Sequence, residues 1–119
     1  SLVDNIPLVS AYTNDLGWES VFEGQLNNWI KKGDVLVGFS VHGGRPDWSG
    51  NLCKAMQLAK ERGAKIIGFS GFDGGAMKKL ANACLIVPTE SEIYGTPLVE
   101  AMHVVLAHGI TFELRERIK

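Results

Sequence analysis

Three short stretches of the chain are apolar without polar alternation: Val35-Leu36-Val37-Gly38-Phe39, Lys65-Ile66-Ile67-Gly68-Phe69 and Cys84-Leu85-Ile86-Val87. Unbroken runs of this length suit strands covered on both faces, as in a parallel sheet. Between the runs, apolar residues recur at helical spacing. Trp18, Val21, Phe22, Leu26, Trp29 and Ile30 predict a helix over 18–30, stopped by Lys31-Lys32-Gly33-Asp34. Leu52, Ala55, Met56 and Ala59 predict a second over 49–62, ended by Gly63. A short helix is predicted over 76–81. A long amphipathic one is predicted over 98–118, with Met102, Leu106, Ile110 and Leu114 on one stripe. Residues 7–13 read as a further short strand, and Asn14-Asp15-Leu16-Gly17 as the turn after it. Alternation of this kind predicts an α/β fold: parallel βαβ units, right-handed crossovers and helices on both faces of the sheet.

The length of 119 residues fits one domain. With 45% hydrophobic and 21% charged residues, the composition is that of a folded globular chain, which excludes bulk disorder. A net charge of −1 without a basic block argues against non-specific nucleic-acid binding. No apolar run is long enough to span a bilayer and no secretory signal is visible, so no membrane partner and a cytoplasmic location are expected. Cys53 and Cys84 sit in apolar patterns and form no C-x-x-C pair, so they read as small core residues.

Ligands of open parallel sheets bind outside the carboxyl ends of the strands. The most informative of those ends is Ser40-Val41-His42-Gly43-Gly44-Arg45. Glycines let backbone N–H groups approach an anion, and Ser40 and His42 can donate hydrogen bonds. Arg45 could add a bidentate contact, and the helix that follows favours negative charge. A phosphate suits this set; an ordinary glycine turn is the alternative. Neither G-x-G-x-x-G nor G-x-x-x-x-G-K-[ST] is present, which leaves dinucleotide and P-loop readings without their main support. The loop over 70–75 reads as structural, with Asp73 capping the short helix.

Taken in order, these segments resemble one family. Gly33-Asp34-Val35-Leu36-Val37-Gly38-Phe39-Ser40 resembles the G-D-V-L-I-G-I-S that opens the phosphate loop of sugar isomerase (SIS) domains. Residues 59–68 resemble that family's next helix and strand, residues 71–75 its T-G-x-D-G-G turn, and Leu85-Ile86-Val87-Pro88 its fourth strand. Asn14-Asp15-Leu16-Gly17-Trp18 is similar to the N-D-x-G-[FY] of the phosphoheptose isomerase branch. The resemblance implies a three-layer αβα SIS domain of flavodoxin-like strand order over residues 1–119. It also implies an aldose–ketose isomerase acting on sedoheptulose 7-phosphate, as a homo-oligomer (a tetramer) with zinc in the site. Carried over by position, Asn14 and Asp15 contact substrate, and Ser40, Val41 and His42 fall where the family has Ser-Thr-Ser around the phosphate, followed by Gly43, Gly44 and Arg45. Glu100 falls where the family has a Gln that binds metal and substrate, and His108 on its metal-binding His. Glu100 and His108 are thereby the implied catalytic and metal residues. The family's two N-terminal helices and first strand have no counterpart here, so a partial domain is expected, completed by further chain or by a partner.

Several residues depart from the family pattern. Val41 cannot donate a side-chain hydrogen bond, His42 replaces a Ser, and Glu100 adds a charge. The loop over 45–50 carries an insertion of about four residues. Glu100 and His108 lie about 80° apart and roughly 12 Å along a straight helix, a long reach for one ion. The bland alternative is a surface Glu and a packing His, and His103 reads as a packing or interface residue. These departures support a second class of function: a non-catalytic SIS module that senses a phosphosugar or nucleotide sugar, or binds a protein. Trp18 and Trp29 are expected in the core, or with Trp48 in a subunit contact. Trp48, in the inserted loop, could instead stack on a sugar.

Overall fold

The apolar runs become strands because their residues pair in register across one sheet. The computed structural model describes all 119 residues. Strands β1 (Val35–Phe39), β2 (Lys65–Gly71) and β3 (Ala83–Val87) form a parallel sheet in the order β1-β2-β3. Val35 pairs with Lys65 and Phe39 with Phe69; Ile67 pairs with Ala83 and Gly71 with Val87. All three carboxyl ends therefore lie along one rim, where the loops after β1, β2 and β3 meet. Helix α3 (Gly50–Glu61) joins β1 to β2, α4 (Gly75–Leu80) joins β2 to β3, and α5 (Gly95–Arg117) follows β3.

Residues 7–13 do not form a strand. They belong to helix α1 (Ile6–Leu16), so the sheet has three strands. The helix starts because the Asn5 side chain accepts the Leu8 N–H at 3.2 Å and Pro7 sits in the first turn, where a missing N–H costs nothing. Leu8, Val9, Tyr12 and Thr13 are its half-buried face, a helical rather than an alternating set. Asn14 and Asp15 are thus the last turn of a helix rather than the end of a strand. After Gly17 a single 3-10 turn (Trp18–Ser20) leads into α2 (Val21–Trp29). Trp18 and Trp29 do not enter the core; they are 55% and 71% exposed.

The main core lies between one face of the sheet and helices α2, α3 and α4. Leu26, Ile30, Ala55, Met56, Ala59, Ala64, Ile66 and Met77 form one buried cluster there. On the opposite face α5 lies against β2 and β3, burying Val99 and His103. β2 is therefore covered on both sides, as its unbroken apolar run predicts. β1 is not: Val35, Val37 and Phe39 are each about half exposed, because α5 does not reach across them. The buried stripe of α5 is Gly95, Val99 and His103, not the predicted Met102-to-Leu114 line; Ile110 and Leu114 are exposed. No helix is long and apolar enough to cross a membrane. Cys53 and Cys84 are free and half-buried rather than fully in the core, and burial pushes both thiols up from their ordinary pKa.

Candidate functional site

The loop after β1 is fastened at its base and open at its amides. Ser40 N–H donates to the Phe69 carbonyl, continuing the β1–β2 ladder by one residue. The Gly43 carbonyl accepts from Met77 N–H at 2.8 Å and the Gly44 carbonyl from Ala76 N–H at 2.9 Å. The loop thus satisfies two orphan donors at the start of α4. That approach needs glycine: Gly43 has φ +69°, and a Cβ there would overlap the Gly74 carbonyl. The loop's own N–H groups at Val41, His42, Gly44 and Arg45 have no acceptor within the protein. A cluster of unpaired amides at a strand's carboxyl end is suited to an anion, and the predicted phosphate loop has that character.

Beside it lies an open cleft of about 540 Å³, lined by His42, Arg45, Asp47, Trp48, Phe72, Glu90, Glu92 and Thr96. The His42 ring stands between two aromatic rings, stacked on Phe72 at 4.4 Å between centroids and tilted against Trp48 at 5.1 Å. Phe72 is held at φ +53°, unusual for a bulky residue. It packs on Gly95 at the start of α5, where a Cβ would meet its ring at 2.5 Å. The Arg45 guanidinium donates to the Asp73 carboxylate at 2.7 Å and lies over the Trp48 ring at 6.0 Å. Asp73 also accepts the Gly75 N–H at 3.1 Å. That N–H first, and the Arg45 guanidinium second, hold the Asp73 carboxyl below its ordinary pKa. Gly74, not Asp73, is the N-cap of α4, and Asp73 holds only the N–H of Gly75. The loop over 70–75 does more than turn the chain, since it supplies Phe72 to the cleft and the carboxylate that holds Arg45.

The structure gathers Ser40 through Arg45 at one place and leaves the other candidates elsewhere. Asn14 and Asp15 are exposed at the end of α1 and do not line the cleft. Glu100 is exposed on α5 and does not line it either. His108 borders a separate, mostly apolar depression of about 310 Å³ with Phe39, His103, Val104, Ala107 and Thr111. His108 is exposed and not a packing residue, whereas His103 is buried, its Nε2 3.1 Å from the Ser70 carbonyl. For the zinc that the resemblance implies, Glu100 and His108 are two donors, and nowhere in the chain do three His, Cys, Asp or Glu side chains converge. A zinc centre takes at least three protein ligands, so these residues do not make one by themselves. Sequence reasoning missed Phe72, Glu90 and Glu92. No local motif marks them, since they reach the cleft only because three strand ends share one rim.

The SIS domain family model matches residues 13–113. The lincomycin biosynthesis protein LmbN of Streptomyces lincolnensis is 42% identical over 111 residues, covering 92% of this chain and 40% of that protein. The phosphoheptose isomerase of a Nitratiruptor species is 41% identical over 100 residues, covering 84% of this chain and 49% of that one. Among solved structures, phosphoheptose isomerase GmhA from Neisseria gonorrhoeae superposes with a TM-score of 0.78 at 30% identity, over 91% of this chain and 56% of that one. The chain thus spans about half the length of the relatives it matches.

Proposed function

Since the chain belongs to the SIS domain family, we propose that it is the phosphate-anchoring part of a sugar-phosphate isomerase of the phosphoheptose type, acting on a ketose phosphate such as sedoheptulose 7-phosphate. The observation that carries this reading is the loop after β1, with unpaired amides at Val41, His42, Gly44 and Arg45. A phosphate seated there is held by backbone donors, which explains how Val41 is tolerated where the family has a hydroxyl: its side chain is not needed, only its N–H. The names of the relatives supply the reaction class.

Aldose–ketose isomerisation moves a proton between adjacent carbons and needs groups that take and return it. In this reading Glu100 and His108, both exposed on α5, serve as proton carriers, with Asn14 and Asp15 contacting the sugar. Those four residues do not converge in this chain, so further chain or a second subunit of a homo-oligomer has to complete the reacting end. Any metal also needs donors beyond Glu100 and His108.

The test is turnover of sedoheptulose 7-phosphate by the full-length protein, with and without zinc, beside Glu100→Ala and His108→Ala. Zinc-dependent turnover lost in both variants supports the isomerase and the two residues together. Sugar-phosphate binding without turnover supports the non-catalytic sensing module instead.

A further inference from the structure

We propose that Trp48, backed by His42 and Phe72, forms a stacking wall for the carbohydrate portion of the ligand, and that Asp47, Glu90 and Glu92 make the same cleft select hydroxyl donors over a second phosphate. This inference rests on the sugar-phosphate reading and specifies which part of the ligand the cleft recognises.

Three aromatic rings from two loops meet in one place. His42 follows β1, Trp48 lies in the loop before α3 and Phe72 follows β2. Trp48 remains 60% exposed while it touches His42, so its stacking leaves ring surface toward solvent. Phe72 adopts a costly backbone conformation that packing on Gly95 and stacking on His42 hold in place. Aromatic rings beside a polar rim offer large, rigid contact area at small entropic cost. The C–H face of a sugar fits such a wall, with its hydroxyls directed to the rim.

The charges decide between ligand classes. The cleft is lined by three carboxylates and one cation, Arg45. Arg45 is already paired with Asp73. A single phosphate is served by the neighbouring amides, away from any need for that cation. A second phosphate, as in a nucleotide sugar, would enter a cleft whose free charges are negative, and repulsion in a partly enclosed site is screened less than in open water. Hydroxyl groups meet no such penalty and find three carboxylate acceptors.

The test is calorimetric titration of the full-length protein with inorganic phosphate, sedoheptulose 7-phosphate and UDP-glucose, repeated on Trp48→Ala and Trp48→Phe. Loss of the indole is expected to weaken the sugar phosphate about tenfold. Inorganic phosphate affinity is expected to stay within about twofold, and Trp48→Phe to recover most of the loss, since the amides and the ring face are retained. UDP-glucose is expected to bind the unaltered protein more weakly than the sugar phosphate, and the gap to narrow in a Glu90→Gln/Glu92→Gln variant. Unchanged sugar-phosphate affinity in Trp48→Ala overturns the stacking wall, as does an equal loss for inorganic phosphate. If the unaltered protein binds both phosphate and sugar phosphate, such a failure is the wall's alone. If it binds neither, the sugar-phosphate reading fails and takes the wall with it.

Discussion

Replacing Gly43 by Ala should separate the two demands made on this residue. The first is conformational: at φ +69° an L-residue is strained by about 1–2 kcal/mol. The second is steric. The added Cβ overlaps the Gly74 carbonyl and lies 2.6 Å from Ser70 Oγ, so the loop must move away from α4. Forced shifts of packed groups cost about 1–3 kcal/mol, giving roughly 2–5 kcal/mol in all. Gly33→Ala is the control, because Gly33 has φ +94° with nothing within 4 Å of a Cβ. It carries the conformational cost alone, about 1–2 kcal/mol. Urea unfolding with an unchanged m-value measures both. Phosphate titration measures the second effect of Gly43→Ala, since displacing the loop also moves the amides of Val41, His42 and Gly44. Equal losses of stability in the two variants, with phosphate affinity intact in Gly43→Ala, would refute the claim that close approach to α4 fixes the loop.

Met77→Ala should cost about 2–5 kcal/mol by urea unfolding, because Met77 is fully buried in the core cluster and the cavity would not collapse; a loss under about 1 kcal/mol would show that α4 is loosely packed. The Asp73 carboxyl is lowered from 3.8, so its links to Gly75 and Arg45 are fully present above that value and are lost as pH falls through the lowered one. Followed by the NMR shift of its own carboxyl carbon, Asp73 should therefore titrate below 3.8, and a midpoint above that value would contradict the assignment. Val37→Lys should change the stability of the chain by no more than about 0.5 kcal/mol, because that face of β1 is half exposed; a loss above about 2 kcal/mol would mean that further chain or a second copy covers it in solution.

How far the fold could be read depended on whether local pattern and tertiary position agreed. The strands read at 35–39, 65–69 and 84–87 were legible because each is a short apolar run between turn residues, and β2 runs on through Ser70 and Gly71, which read as loop. The α1 segment was not: Leu8-Val9-Ser10-Ala11-Tyr12-Thr13 has β-branched and aromatic residues that suit a strand, and Asn5 with Pro7 carried the contrary helix-start signal. An unbroken run also cannot tell whether both faces find cover. Val35 and Val37 are as apolar as Ile66 and Ile67, yet β2 has helices on either side and β1 does not. In the site, the glycine loop after β1 was legible as a candidate anion site because glycines, a strand end and a helix follow one another in sequence. The cleft beside it was not, since Phe72, Glu90 and Glu92 become neighbours of Trp48 only through the parallel register. Glu100 and His108 show the converse: position in a family motif named them, but the chain by itself does not bring them together.

The contact between His103 and Ser70 fixes which imidazole nitrogen carries the proton. The Ser70 carbonyl can only accept, so Nε2 carries a proton, and in the neutral ring Nδ1 is the bare nitrogen. The ring is held in a single tautomer as long as that carbonyl stays in place, and the two nitrogens should give well separated ¹⁵N resonances. Ser70 is the penultimate residue of β2, at the same rim as the phosphate loop. A shift of that strand end would release the proton to exchange between the nitrogens and draw the two resonances together. His103 is thereby a built-in spectroscopic reporter of the geometry of the site, read without touching any residue that contacts ligand.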